Sequence, residues 1–452
     1  MIPTPKVLHK KESYDPTIMR RERLDDDIAS LSSRRRIEHF SRAFMNLTAA
    51  ASSSSNSSSS SESSAIHVFG AIVMDIQCQS EKNTKTNATS MQRGTSVKGS
   101  CVHTPGGVGR NICETVGALV SIWMSSSAGR NKNRLSVHMH SQIGEDDVGR
   151  KMVEQLQREL HVDVKDVKMD SSSRTSTVVA LLDDQDGERE LFACVADVAD
   201  VEIPIGRVRS SSRIGEGQSR FVVCDANLSE ESLRNVVSGK DEQNEYVFFE
   251  PTSVTKSVKI ASIVNVVDAT SPNAKELREM ANALRRSLAP GSPPSPCPFN
   301  PHLKFASAQE ALNVLAGDLQ ILHSHGVKVV FLTLGELGSI VSSSCGESGK
   351  TRYAHVKAER VNGTSTYSVV GAGDAFVAGV VFKLASSSKV KFNFKENVDA
   401  AAFGSKVAAL CVETTKNSLG STSENVRKLE KIVNSQNSSR IVELKPLIAA
   451  FP

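Results

Sequence analysis

The sequence predicts an α/β protein with a mainly parallel sheet that helices cover on both faces. From Ile66 onward, apolar runs rich in β-branched residues alternate with amphipathic helical stretches. Strands are expected around Val137 and over residues 221–224, 246–249 and 327–332, and helices over 148–160, 273–288 and 308–323. Because such alternation is typical of right-handed βαβ units, neighbouring strands should run parallel beneath their helices.

The bulk composition of the 452 residues argues against several classes of protein. No stretch approaches the run of about 20 apolar residues that a membrane span requires. The net charge is only +4, and one Trp and four Tyr offer no aromatic platform, so no nucleic-acid partner is expected. The eight cysteines form no CxxC pair, and several lie in apolar runs, as is typical of reduced thiols inside cells.

Composition divides the chain into a leader, one domain and a tail. Residues 1–65 are expected to be a disordered leader, because the nearly uniform serine stretch over 52–64 cannot bury enough apolar area to offset chain entropy. One domain is expected over 66–435, and a tail over 436–452 follows it. The Pro-rich stretch 289–301 interrupts two helical patterns and predicts a surface insertion.

The leader carries the only sequence features that bear on location. It lacks the apolar core of a secretory signal, so an intracellular protein is expected. Residues 34–44 can form a short basic amphipathic helix, and residues 36–44 faintly resemble an N-terminal peroxisomal address, although Ala43 stands where His or Gln is expected. A cytoplasmic and a peroxisomal location both stay open.

Two β-rich runs break the α/β rhythm. Residues 175–182 and 189–195 are joined by an acidic segment that contains Asp186-Gly187, which is a strong hairpin signal. A hairpin within a parallel α/β protein commonly serves as a flap or lid over a site. We therefore expect lid strands within residues 173–197.

The most specific candidate for chemistry is Gly371-Ala372-Gly373-Asp374, which precedes a predicted apolar helix over 375–384. Glycines in the turn before a helix let the backbone approach a ligand, and the amides at a helix N-terminus favour an anion. A carboxylate beside that anion is placed to take a proton from an incoming hydroxyl group. The alternative is that Asp374 only caps the helix.

Two further features are weaker when each is considered alone. Gly106 and Gly107 precede Asn111 and a predicted helix over 112–120, and the Asn111 amide can both donate to and accept from sugar hydroxyls. Asp75 lies towards the end of a first strand that we predict over 66–77, where open α/β sheets bind their ligands. A tight turn with a cap and a simple loop aspartate are the plainer interpretations.

Together these segments resemble the ribokinase-like (PfkB) carbohydrate kinases over about residues 66–434. Residues 106–111 match the N-terminal signature of that family, and residues 371–379 match its C-terminal signature in the right order and separation. Between them, residues 271–277 resemble its NxxE segment and residues 333–338 its nucleotide-binding TxGxxG. The resemblance implies a three-layer α/β/α fold with a small β-lid, built from strands within about 75–104 and 173–197.

The resemblance also implies roles for individual residues. Asp374 would be the catalytic base, and Gly371, Ala372 and Gly373 would form the anion hole for the γ-phosphate of ATP. The remaining implied contacts are Asp75, Gly106, Gly107 and Asn111 with the sugar, Thr333, Gly335 and Gly338 with ATP, and Asn273 and Glu276 with Mg²⁺ through water. Ser368-Val369-Val370 departs from the polar triplet of the family, which argues against a monovalent cation at that loop. A homodimer through the lid is left open.

Within the family, three segments look most like pseudouridine kinases. They are the Val-Gly-Arg-Asn form of the N-terminal signature and residues 225–228 and 249–256. The implied reaction is phosphorylation of the 5′-hydroxyl of pseudouridine by ATP. A kinase for ribose, fructose or adenosine is the nearest alternative, and a catalytically silent nucleoside-binding protein is the alternative from another class.

Overall fold

The computed structural model describes residues 64–80, 94, 96–126, 135–160, 162–185, 188–203, 219–288, 304–344, 350–361, 370–387, 393–413, 419, 423–435 and 441–446. The predicted leader up to residue 63 with its address segment, the predicted insertion over 289–301 and the dipeptide Ser368-Val369 lie outside these residues.

Strands and helices alternate along much of the described chain. The strands are β1 (Ser64–Phe69), β2 (Val73–Ser80), β3 (Gly99–Gly106), β4 (Leu135–Gly144), β5 (Asp163–Asp170), β6 (Thr177–Gln185), β7 (Glu188–Asp197), β8 (Ser219–Asp225), β9 (Glu245–Glu250), β10 (Ala269–Thr270), β11 (Val329–Thr333), β12 (Ser339–Ser344), β13 (Thr351–Val356) and β14 (Ile441–Leu444). The helices are α1 (Val108–Ser125), α2 (Asp147–Leu160), α3 (Glu230–Val237), α4 (Ala274–Leu288), α5 (Ala308–Ser324), α6 (Ala372–Ala385), α7 (Phe394–Glu413) and α8 (Ser423–Asn434).

The main sheet contains ten strands in the order β14-β13-β12-β11-β10-β9-β8-β1-β4-β5. From β5 to β11 every neighbouring pair is parallel, and only β11, β12, β13 and β14 pair antiparallel at one edge. Successive residues of the central strands belong to the hydrophobic cores on opposite faces of the sheet. Val223 belongs to the core that contains residues of α1, α2, α6, α7 and α8, whereas Val222 belongs to the core that contains residues of α3, α4 and α5. The predicted three-layer α/β/α architecture with a mainly parallel sheet is confirmed.

A second sheet of four strands, in the order β3-β2-β6-β7, forms the small β-structure that the sequence predicts. Its β6 and β7 pair antiparallel as the expected hairpin. The prediction of one strand over 66–77 is wrong, because the chain leaves the main sheet after Phe69 and enters the second sheet at Val73. Gly70 makes this bend, packed so tightly that an added Cβ would lie 2.6 Å from the Asp225 Cγ. Asp75 therefore belongs to the second sheet.

The last described segment also differs from its prediction. Residues 441–444, expected to belong to a tail outside the domain, form the edge strand β14, which pairs antiparallel with β13. Only four residues make this contact, and a short polar-flanked run gives little strand signal in the sequence. Among the described helices, none is long and apolar enough to cross a lipid bilayer.

Three histidines form a cluster on β1 and β4. His67 Nδ1 lies 2.9 Å from His140 Nε2, and the His67 and His138 rings stack with centroids 4.5 Å apart. Burial lowers the pKa of His67 to about 2 and that of His140 to about 3, and repulsion from the neighbouring imidazoles adds to both shifts. Both buried rings are therefore neutral at physiological pH.

The histidine cluster should make folding sensitive to acid. Below the ordinary histidine pKa of about 6.5, the unfolded chain binds protons that the folded His67 excludes, so the free energy of unfolding falls as pH falls. The expected loss is about 1.4 kcal/mol per pH unit for each such histidine. We expect His67→Phe, measured by urea unfolding at pH 7.5 and 5.0, to lose less stability on acidification than wild type.

Carboxyl groups whose pKa is raised in the folded protein make the free energy of unfolding rise as pH falls. Wild type and variant share these groups, so their effect cancels when the two proteins are compared. His103 is exposed on β3, so His103→Gln is the control that should keep the wild-type pH dependence. If His67→Phe and wild type lost the same free energy between the two pH values, buried His67 would not be a source of acid sensitivity.

Candidate active site

Several polar and acidic residues of the candidate site lie at the carboxyl ends of parallel strands, and others lie at the N-termini of helices. Asp225 ends β8, Glu250 ends β9 and Thr333 ends β11, and these strands lie in the central part of the main sheet. Open α/β sheets bind ligands at this edge, because the loops that follow the strands leave a crevice there. The fold thus gathers residues from distant parts of the sequence.

Helix α6 begins with an unusually open N-terminus. Gly371 precedes it in the left-handed region at φ 79°, and no side chain caps its first amides. Helix α6 starts at Ala372 rather than at the predicted residue 375, so Gly373 and Asp374 lie in its first turn. The first amides of a helix have no intrahelical acceptor, and open space borders Gly373, so this end is suited to an anion.

Asp374 contacts the N-terminal signature directly. Its Oδ2 accepts a hydrogen bond of 2.9 Å from Asn111 Nδ2, which joins the first turns of α6 and α1. Part of the Asp374 side chain reaches the surface, yet the surrounding protein raises its pKa to about 7, mainly through desolvation and further through Asp225, Asp75 and Glu276. A carboxyl group with a pKa near neutrality can accept a proton and release it at physiological pH.

The N-terminus of α1 is filled by protein groups, in contrast to that of α6. Helix α1 begins at Val108, four residues before the predicted residue 112, after Gly107 at φ 95°. The Gly109 amide donates to Asp225 Oδ2 at 2.8 Å, and the Arg110 amide donates to the Ala71 carbonyl at 3.1 Å. Among the two signature helices, α6 is therefore the one whose first amides remain open to a ligand.

Asp75 reaches the same region from the second sheet. It lies on β2, next to Gly106 on β3, where an added Cβ would lie 2.6 Å from the Asp75 Cγ. The negative charge of Asp75 also contributes to the raised pKa of Asp374. The structure thus brings together Asp75, Gly106, Asn111 and Asp374, although Asp75 comes from the lid rather than from the first strand.

The residues predicted to contact ATP and metal adjoin one another at the C-terminal end of β11 and the N-terminal end of α4. The Thr333 amide donates to the Pro272 carbonyl at 2.9 Å, and Asn273 forms a parallel bridge with Thr333. Gly335 and Gly338 follow with φ values of 59° and 91°, which only glycine adopts readily. Asn273 also caps α4: its Oδ1 accepts from the Glu276 amide at 3.0 Å, while Glu276 Oε2 accepts from the Asn273 amide at 2.9 Å.

Asp225 is a site residue whose structural importance the sequence analysis missed. It is 1% exposed, and its Oδ2 accepts from the Ala71 amide at 3.1 Å and the Gly109 amide at 2.8 Å. Its Oδ1 accepts from the Asn227 amide at 2.9 Å. Asp225 therefore fixes the start of α1 against the bend that follows β1. An acidic residue directly after the apolar run Phe221–Cys224 was the available signal.

The sequence profile of the pfkB family carbohydrate kinases matches residues 63–424. The chain belongs to this family. It is 29% identical to a pseudouridine kinase of Arabidopsis thaliana over 280 residues, which cover 61% of this chain and 64% of the plant protein, slightly less than two thirds of its length. It is 25% identical to a pseudouridine kinase of Escherichia coli strain K12 over 326 residues, which cover 72% of this chain and 86% of the bacterial protein.

Solved structures of pfkB-type kinases share the fold. Ribokinase from Giardia lamblia superposes with a TM-score of 0.57 at 18% identity, covering 81% of this chain and 98% of that one. Fructokinase from Vibrio cholerae O395, solved with fructose, ADP and calcium ion bound, gives a TM-score of 0.52 at 18% identity and covers 78% of this chain and 94% of that one.

A cluster of carboxylates in this pfkB site fits a divalent cation. Glu250 Oε2 is buried without a hydrogen-bond partner, and the pKa of Glu250 is raised well above its usual value by burial and by repulsion from Glu276 and Asp374. The pKa of Glu276 is also raised, chiefly by burial. A cation would relieve this repulsion. Within the described residues, no three His, Cys, Asp or Glu side chains converge in a way that would hold a metal ion directly.

Proposed function

We propose that this chain is an ATP-dependent kinase that transfers the γ-phosphate of ATP to the 5′-hydroxyl of pseudouridine. The observation that carries the proposal is Asp374, whose pKa lies at about 7, beside the open first amides of α6. Membership of the pfkB family and the likeness to two pseudouridine kinases support the same reaction.

In the proposed reaction, Asp374 accepts the proton of the 5′-hydroxyl as the oxygen forms a bond to the γ-phosphorus. The bond between that phosphorus and the β,γ-bridging oxygen breaks, and ADP leaves. The amides of Gly371, Ala372 and Gly373 would stabilise the charge on the transferring group, since they have no cap of their own. Asp374 returns to its ionised form when the product and the proton leave.

Separate groups would hold the two substrates. We assign the ribose to Asp75, Gly106, Gly107 and Asn111, which lie around Asp374. We assign ATP to Thr333, Gly335 and Gly338 at the end of β11. The second sheet would act as the lid that excludes water, because it carries Asp75 into the site.

A divalent cation fits this assignment. Asn273 and Glu276 would hold Mg²⁺ through water, and the unpartnered Glu250 Oε2 adds a further acceptor for such a shell. When bound, the cation neutralises charge on the phosphates of ATP. A bound cation would reduce the repulsion among these carboxylates and between them and the phosphates of ATP. We therefore expect ATP and Mg²⁺ to strengthen each other's binding.

The preference for pseudouridine is supported by two contacting segments beside the site. Residues 225–228 and 249–256, which resemble pseudouridine kinases, pack together: the Ala226 amide donates to the Glu250 carbonyl at 2.9 Å, and Lys256 Nζ donates to Asn227 Oδ1 at 2.6 Å. Thr252, within the second segment, has a φ of 64°, a conformation that costs energy for a β-branched residue. Such local strain is frequent at ligand sites.

Uridine is the decisive competing acceptor. It shares the ribose and the outline of the base, but its base is joined through N1. Pseudouridine is joined through C5 and therefore has an additional N–H at N1, one ring carbon away from the glycosidic carbon. A site built to accept that hydrogen bond rejects the analogue that lacks it, because the buried acceptor is then left unpaired.

The test is kcat/KM at saturating MgATP for pseudouridine, uridine, ribose and adenosine. We expect the value for pseudouridine to exceed that for uridine by at least about a hundredfold, as polar discrimination allows. Equal values for these two nucleosides, or a higher value for ribose or adenosine, would reject pseudouridine as the acceptor and leave another pfkB activity. Nucleoside binding without any transfer would instead identify a silent binding protein.

A further inference from the structure

We propose that Arg110 is a positioning residue for the proposed base: held by Glu114, its guanidinium fixes the Asn111 carboxamide so that the Asn111 NH₂ group faces Asp374. The proposal rests on the proposed function only in naming Asp374 as the base. Its structural content is a continuous chain of polar contacts from a buried ion pair to the Asp374 carboxylate.

The first link is the ion pair within α1. Arg110 is 1% exposed and Glu114 is 0% exposed, and Arg110 Nη1 lies 2.8 Å from Glu114 Oε2 one turn along the helix. Burying two charges costs free energy that their attraction scarcely offsets, so such a pair adds little to stability. Neither Glu114 oxygen accepts a hydrogen bond, so the pair acts through the attraction of the two close charges, which keeps the guanidinium beside the site.

The second link is the contact between Arg110 and Asn111. Arg110 Nη1 lies 3.5 Å from Asn111 Oδ1, while Asn111 Nδ2 donates to Asp374 Oδ2 at 2.9 Å. A carboxamide has one oxygen and one nitrogen, so a positive group on the oxygen side and a carboxylate on the nitrogen side select the same orientation. A reversed amide would place its NH₂ against the guanidinium and its oxygen against Asp374.

Two more acceptors hold the guanidinium. Nη1 donates to the Pro105 carbonyl at 3.2 Å, at the end of the lid strand β3, and Nη2 donates to Gln155 Oε1 on α2 at 3.3 Å. The acceptors around Nη1 share its two N–H groups, and Nε has no hydrogen-bond partner. A lysine ammonium at the same site would have a different reach and geometry. Arg110 thus contacts both the end of the lid strand β3 and the carboxamide of Asn111.

The electrostatic surroundings of Asp374 make the Asn111 donor important. Asp75 on β2, Asp225 on β8 and Glu276 on α4 raise the pKa of Asp374, and Asp374 in turn raises the pKa of Glu250 on β9 and of the Cys411 thiol on α7. The carboxylates oppose its ionisation, while the hydrogen bond from Asn111 favours the charged form. If Asn111 turned, the pKa of Asp374 should rise.

The test removes the guanidinium without leaving a buried charge behind. Arg110→Met alone would strand Glu114 and endanger folding, so the variant is Arg110→Met/Glu114→Leu, in which both charges give way to apolar groups of similar size. We expect the acidic limb of kcat/KM against pH to move upward by about one unit, so that kcat/KM at pH 6 falls about tenfold relative to wild type. Glu154→Gln/Arg158→Gln, which removes an exposed ion pair with the same i,i+4 spacing on α2, is the matched control and should leave the limb in place.

A cycle with Asn111→Ala separates positioning from a general structural effect. If Arg110 acts through Asn111, the double replacement causes no further shift of the limb once Asn111 has been removed. The titration of the Asp374 carboxyl carbon, followed by ¹³C NMR in the ligand-free protein, gives the same comparison without turnover. Absence of transfer in wild type would therefore count against the proposed function, whereas an unmoved Asp374 titration, or an equal shift in the Asn111→Ala background, would overturn the role of Arg110.

Discussion

Replacing Asp374 by asparagine is expected to lower kcat by roughly 10² to 10⁴, the range typical of a lost general base. The substitution is nearly isosteric, but the amide cannot take the proton of the attacking hydroxyl. Folding should be unaffected, because Asp374 is surrounded by carboxylates that raise its pKa and so gains little from being charged. The measurement is kcat at saturating MgATP and pseudouridine, together with thermal unfolding.

Asp147→Asn provides the matched control for this loss. Asp147 also lies in the first turn of a helix, α2, but it is far more exposed and contacts Arg150 at 2.9 Å rather than any site residue. It should retain the wild-type kcat. Near-normal turnover by folded Asp374→Asn would show that Asp374 is not the base.

The second large effect is expected at Asp225. Replacing it with alanine leaves the amides of Ala71, Gly109 and Asn227 without their acceptor, and each buried unpaired donor costs about 1–3 kcal/mol. We expect the free energy of unfolding to fall by about 2–4 kcal/mol, allowing for partial access of water. Because the Gly109 amide fixes the start of α1, Asn111 should also move relative to Asp374, so kcat/KM should fall as well.

The variant Asp225→Asn should show an intermediate loss of stability. Oδ2 accepts from the Ala71 and Gly109 amides, whereas Oδ1 accepts from the Asn227 amide. The asparagine oxygen can take the place of Oδ2. Its NH₂ group then faces the Asn227 amide, so that one donor loses its acceptor. Urea unfolding should therefore rank wild type above Asp225→Asn and Asp225→Asn above Asp225→Ala. Equal stability of all three proteins would show that the carboxylate does not hold the start of α1.

Elements with a strong local pattern could be predicted from the sequence. Helices α2, α4 and α5 and the hairpin of β6 and β7 carry clear periodicity or turn residues, and the structure places them near the predicted ranges. Helix starts were less accurate: α1 and α6 begin three or four residues early, because glycine at positive φ is a helix boundary that apolar periodicity does not reveal.

The bend at Gly70 and the edge strand β14 depend on contacts between distant segments, which a single sequence does not show. Gly70 must admit the Asp225 side chain, and β14 forms only by pairing with β13. The same reason explains the site. The two glycine-rich signatures were visible as motifs, but Asp225 and Glu250 become site residues only when β8 and β9 lie side by side in the sheet.

Glycines of the C-terminal signature illustrate two different physical requirements. Gly371 provides the left-handed residue before α6, whereas Gly379 lets α6 approach α7, since an added Cβ would lie 2.7 Å from Gly404 Cα. The motif therefore combines a ligand-facing turn with a helix packing contact. Only the first of these could be inferred from the position of the glycines directly before a predicted helix.

The central claim is that this site moves the γ-phosphate of ATP onto the 5′-oxygen of pseudouridine. The most direct measurement is to incubate the purified full-length chain with MgATP and pseudouridine and to identify the products by ³¹P and ¹H NMR. We expect equal amounts of ADP and pseudouridine 5′-phosphate, with the phosphate coupled to the 5′-protons. No transfer to pseudouridine, or a phosphate on another oxygen, would contradict it.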